Sequence, residues 1–125
     1  MSSETEGRYA GEFILAESPG TISRDTVTVT VPASTTYTPG TVLGQIAATE
    51  AYAPYDDAAS DGTETAVGIL YGELENESAL AADDMTGVIV NFGAEVRSDD
   101  LVWGAGVDED AGLADLAARY IKARE

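Results

Sequence analysis

Hydrophobic and polar residues alternate most strictly at Thr26-Val27-Thr28-Val29-Thr30-Val31, which places three valines on one face and three threonines on the other. A period of two marks a half-buried strand, and Pro32 ends it. Ahead of it, Gly11 to Glu17 is a short apolar run closed by the turn residues Ser18-Pro19-Gly20, read as an edge strand or a strand awaiting a partner. Ala33 to Thr38 reads as a polar connection to Pro39-Gly40, which suits positions i+1 and i+2 of a type II turn, and Thr41 to Ile46 as the next strand. Glu50 to Glu64 reads as a loop. Thr65 to Gly72 reads as a buried strand in which Gly68 and Gly72 mark bulges or close backbone approach. Glu73 to Asp84 reads as a connection with a helical turn around Ala79 to Ala82. Gly87 to Val96 is a second long strand, with the Ile69 strand or the Thr26 strand as its partner.

The period changes near the end of the chain. Leu113, Leu116, Ala117, Tyr120 and Ile121 follow the i, i+3, i+4, i+7, i+8 spacing of a helical stripe, and Asp108 or Asp110 can cap its start. A helix from about Glu109 to Arg119 is expected, with Asp115 and Arg119 as an i,i+4 pair. Arg119, Lys122 and Arg124 put half of all basic residues into the last seven positions. They serve helix-dipole complementation and solubility, or form a basic patch for an acidic patch on another subunit. Residues 1 to 10 are small, polar and acidic apart from Tyr9, and are expected to form a mobile arm before a single domain spanning 11–125.

Composition narrows the chemistry. The 125 residues are 44% hydrophobic and 23% charged, which fits one domain. At 13.0 kDa roughly two thirds of the unfolded surface is buried on folding, so self-association would help stability. With 23 acidic against 6 basic residues the net charge is −17, which opposes binding to nucleic acid or to anionic membranes. A single Lys among so many acids fits either a very soluble surface or adaptation to high salt. There is no Cys and no His, so thiolate and imidazole metal sites and the commonest general base are missing. No window is apolar enough for a membrane span or a signal peptide, and the protein is expected to stay in the compartment where it is made.

The carboxylate pairs Asp56-Asp57, Asp83-Asp84 and Asp99-Asp100 are poor acid/base couples, because neighbours in extended chain point to opposite faces. Asp57 to Gly62 starts like an EF-hand loop. However, Ala59 stands at position three and Gly68 at position twelve, where oxygen ligands are required. A different calcium or sodium site between loops is the residual metal reading. No phosphate-binding glycine loop or nucleophile elbow occurs, so neither catalytic residues nor a cofactor are expected, and the chain is read as no enzyme.

Four stretches, in order, resemble the lambda-like bacteriophage head decoration proteins, the capsid-stabilising protein D family. Gly11 to Val29, containing Phe-Ile-Leu, Ser18-Pro19-Gly20 and Ser23-Arg24-Asp25, is similar to the family's opening. Pro39 to Gly44 is similar to its turn and strand, Asp61 to Leu70 to its central Asp-Gly to Val-Gly-Ile-Leu segment, and Ala94 to Arg97 through Leu101-Val102-Trp103 to its final strand and downstream Trp. The likeness runs from about residue 10 to the end. It departs at Tyr120 to Arg124, where Lys122 replaces an apolar residue of a short closing strand, so the tail is expected to stay helical or exposed.

The resemblance implies a mainly β fold of the β-tulip type with one or two short helices. It also implies a homotrimer on the outer surface of the expanded capsid, in a virion whose proteins are made in the host cytoplasm. The implied partner is the major capsid protein, with no cofactor or metal, no nucleic acid and no membrane. Residues 11–16 would add a strand to the capsid protein, with Gly11, Glu12, Phe13, Ile14 and Leu15 in contact, Phe13 and Leu15 entering pockets, and Arg8 and Tyr9 assisting from the arm. The competing reading from charge alone is an acidic DNA mimic that inhibits a nucleic-acid-binding protein.

Overall fold

The computed structural model describes residues 13–17 and 23–124. Its strands are β1 (Ile14–Glu17), β2 (Arg24–Val31), β3 (Thr35–Tyr37), β4 (Val42–Gln45), β5 (Tyr52–Pro54), β6 (Gly68–Leu70), β7 (Leu74–Asn76), β8 (Asp83–Val90), β9 (Ala94–Arg97) and β10 (Ile121–Arg124). A 3₁₀ turn spans Ser98–Asp100, and helix α1 spans Glu109–Ala117. The fold is mainly β, as the pattern predicts, with the helix near the C-terminal end.

Five strands close a small barrel in the order β2-β5-β4-β6-β8. Its frame is the antiparallel pair β2 and β8, in register from Arg24 opposite Val90 to Val31 opposite Asp83. β8 pairs with β6 on its other side, so both expected partners flank it. Val29 and Val31 point inward with Leu43, Leu70, Leu74 and Ile89, while Thr26 and Thr28 face solvent, as strict alternation requires. Gly40 adopts φ +97°, the conformation the Pro39-Gly40 turn needs.

A second layer, the sheet β1-β9-β10, packs on the barrel together with α1. β1 runs antiparallel and β10 parallel to β9. This layer encloses a second core of Phe13, Val42, Tyr55, Ala66, Ile69, Val90, Ala94, Val96, Leu101, Leu116 and Ile121. Tyr55 meets Trp103 edge-on at 5.9 Å and donates to the carbonyl of Asp108 at 3.0 Å. Asp108 is the helix cap, its carboxylate accepting from the Ala111 N–H at 3.1 Å. Gly112 presses against this aromatic pair: a Cβ there would lie 2.5 Å from the Trp103 ring.

Several expectations need correction. The Glu50 to Glu64 loop contains β5 and the fully buried Tyr55. Ala33 to Thr38 and Glu73 to Asp84 are more than connections, because β3 and β7 pair as a separate two-stranded ribbon and β8 begins at Asp83. No helical turn forms at Ala79 to Ala82. The long strand Gly87 to Val96 breaks at Asn91 to Gly93, where Gly93 takes φ +63° and turns the chain from barrel to sheet. The helix stops at Ala117, and the tail becomes strand β10, with Lys122 pointing outward. Asp115 accepts from the Ala66 N–H at 3.0 Å, tying helix to barrel. The expected mobile arm 1–10 lies outside the described residues.

Candidate functional site

Alternation in β9 and β10 gives the three-stranded sheet two different faces. Ala94, Val96 and Ile121 point into the core, while Glu95, Arg97, Lys122 and Arg124 point outward. All five basic residues that the structure describes lie on or beside this sheet, and three of them meet carboxylates. Arg124 forks onto Glu95 at 3.0 and 3.2 Å, Arg97 reaches Asp100 at 3.1 Å, and Arg24 pairs with Glu17 at the end of β1. The Arg24 guanidinium also lies 4.0 Å above the Tyr71 ring. Glu17 further accepts from the Ser23 hydroxyl at 2.5 Å. Arg24 holds the Glu17 carboxyl below its ordinary pKa, against the opposing effect of burial and with help from Ser23. Arg124 does the same for the exposed Glu95. On a protein of net charge −17, this is a zone where charge is locally balanced.

Exposed apolar groups gather in the same zone. Among the described residues four large hydrophobics are exposed, and three of them, Leu15, Phe92 and Tyr120, border this sheet. Leu15 is the extra residue of a bulge, since Ile14 faces Val96 and Ala16 faces Glu95. Phe92 and Tyr120 meet edge-on at 5.4 Å, one from each turn that leads into the sheet. Tyr120 is 72% exposed and has φ +62°, a conformation that favours Gly or Asn. That backbone lets the chain pass directly from α1 into β10, and its cost for a bulky residue points to a use for the side chain. Shallow grooves of about 390 Å³ flank Tyr120, one lined by Ala16, Glu17, Ala94, Glu95 and Lys122, the other by Ala117, Ile121 and Lys122. β1 and β10 are the sheet's edges, and among the described residues nothing pairs with the outer edge of either. An open edge beside exposed aromatics can take an added strand from another chain.

Of the contact residues expected from sequence, Arg8, Tyr9, Gly11 and Glu12 lie outside the described residues. Phe13 is fully buried, so the pocket expected for it on a partner is this chain's own core. Ile14 is partly buried against the same core, and Leu15 alone of the described three is exposed. Ile14–Glu17 therefore belongs to the domain's own sheet, because Ala94, Val96 and Ile121 offer it an apolar bed. Phe92, Tyr120 and the Glu17–Arg24 pair escaped the sequence reading. Tyr120 counts as a position of the helical stripe, and that spacing masks its place in the turn after the helix.

The carboxylate pairs serve a turn, a helix start and a cross-strand contact. Asp56 accepts from the Ala58 N–H, Asp57 from the Asp108 N–H, and Asp84 from the Thr30 hydroxyl. Asp61 takes both the N–H and the hydroxyl of Thr63, which hold its carboxyl below its usual pKa. Among the described residues no three acidic groups come together in a way that could hold a metal ion.

Comparison with protein-family models gives a match over residues 3–121 to the family described as bacteriophage lambda head decoration protein D. Comparison with curated proteins gives no match.

Proposed function

The chain belongs to the family of bacteriophage lambda head decoration protein D, and from that premise we propose that it coats the outside of an expanded phage head as a trimer and steadies the shell against packaged DNA. The family is one of structural proteins associated with the capsid, not a class of enzymes. One observation supports the finer reading: balanced charge, exposed aromatics and an open strand edge coincide on the β1-β9-β10 sheet. Arg8 and Tyr9 of the arm, followed by Gly11 and Glu12, precede Phe13 and this sheet in the sequence, so arm, segment and sheet together form the proposed contact with the major capsid protein. The strand contact supplies backbone hydrogen bonds, and Leu15, Phe92 and Tyr120 supply apolar area.

The mechanism is thermodynamic. A protein that binds only the expanded lattice stabilises that lattice by mass action. Joining three such contacts in one trimer raises their effective concentration, so individually weak contacts clamp several capsomers. An acidic outer coat keeps particles from aggregating.

Co-sedimentation with unexpanded and expanded shells tests this, using the full chain and a chain lacking residues 1–12. The cut stops before Phe13 because a longer deletion would open the core. Saturable binding of the full chain to expanded shells, lost with the arm, is the expected result. Undiminished binding without the arm would remove its role, and no binding of the full chain to either shell would remove the decoration reading.

A further inference from the structure

The fourth exposed hydrophobic residue lies away from the sheet. Leu80 is 94% exposed on the loop between β7 and β8, within the uncharged stretch Ser78-Ala79-Leu80-Ala81-Ala82. The loop is anchored on both sides of it. The buried Asn76 amide donates to the carbonyls of Val31, Pro32 and Ala81 at 2.9 to 3.2 Å, and its oxygen accepts from the Ser78 N–H at 3.0 Å. The Ser34 N–H donates to the Ser78 carbonyl at 2.9 Å, and the Leu80 N–H donates to the Ser78 hydroxyl at 3.3 Å. A leucine held out on an anchored loop is a preformed knob, with little ordering entropy left to lose on contact.

The same chain carries a matching hole. Tyr37, Pro54, Val102 and Trp103 line an apolar groove of about 180 Å³, completed by threonines and Gly104 and free of charged side chains. Leu80, being exposed, does not fill it. On a surface of net charge −17, knob and groove are two uncharged patches where copies can meet with little like-charge repulsion. We propose that Leu80 of one copy seats in the Tyr37–Trp103 groove of a second copy. Made twice about a twofold axis the contact gives an isologous pair; repeated in one direction it is heterologous and closes into a ring when the rotation allows. The contact rests on these residues, and the number of copies rests on the trimer reading above.

The chain contains no cysteine, so engineered thiols report cleanly. Leu80→Cys and Thr38→Cys are made as separate chains, mixed, and oxidised both free in concentrated solution and bound to expanded shells. The expected product is a disulfide between the two different chains, well in excess of the pairing of Leu80→Cys chains with one another. Leu80→Asp should weaken self-association roughly tenfold to a hundredfold at an unchanged urea midpoint, because the side chain touches almost nothing within its own copy. No excess of the mixed disulfide in either setting, or undiminished association of Leu80→Asp, overturns the contact. Shell binding is read in the same samples. Chains that bind shells without cross-linking defeat this inference alone, and chains that cross-link without binding shells support the contact while defeating the decoration reading.

Discussion

The barrel and the three-stranded sheet treat their edges in opposite ways. Every barrel strand has a neighbour on both sides, even where the contact is as brief as Val29 of β2 opposite Tyr52 of β5, so no barrel strand is an edge along its whole length. Among the described residues the sheet stops at β1 on one side and β10 on the other. The barrel's frame is a pair of eight-residue strands, β2 and β8, whereas the sheet assembles three four-residue pieces. The difference separates a scaffold, closed and regular, from a surface suited to binding, open and held in place by side chains at its ends.

That contrast breaks if the sheet proves to be a loose appendage. Phe13→Ala should cost about 3–5 kcal/mol, as much as Leu70→Ala in the barrel, because both side chains are fully buried. Urea denaturation measures both, and a cost under about 1 kcal/mol for Phe13 would show the sheet to be peripheral.

Gly112→Ala probes the seam between helix and barrel. In an open helix the change would stabilise, but here the added methyl meets the Trp103 and Tyr55 rings, and a loss of about 1–3 kcal/mol is expected. A rise in Tm would mean the aromatic pair yields.

The Glu17–Arg24 pair sharpens the comparison by pH. Its carboxyl titrates below the usual 4.5, so the stabilisation is complete above that value and fades as pH falls through the lower folded value. Glu17→Gln should cost about 1 kcal/mol at neutral pH and flatten that part of the acid limb. An unchanged acid limb in Glu17→Gln would show that β1 is held without the pair.

The smallest effect on stability, and the most telling for function, belongs to Tyr120→Gly. Relief of the left-handed backbone offsets the lost ring contact, so the unfolding free energy from urea denaturation should change by less than about 0.5 kcal/mol while shell binding falls. Undiminished shell binding would move the contact off this sheet.

What was legible in the sequence follows the same division. β2 was legible because alternation is a local property, and α1 because its cap and stripe are local too. β3 and β7 are three residues each, partly polar, and take their strand identity only from one another across some forty positions of chain. Tyr52-Ala53-Pro54 lay hidden among Asp, Ala and Ser for the same reason. Phe13 read as a side chain seeking a partner because the bed that receives it comes from β9 and β10, at the other end of the chain. Tyr120 carried a helical spacing but a left-handed backbone, and no pattern of residue types distinguishes those two.

Ile14 and Ala123 both flank Val96, one from each side of β9. Two strand spacings put them about 10 Å apart, a gap that a linker of a few residues spans. The described chain is thus nearly a closed loop, and a circular permutant should keep both cores when its ends are joined there and opened at Gly106, where added atoms meet nothing within 4 Å. Cargo fused at those new ends would emerge just before the start of α1 at Glu109.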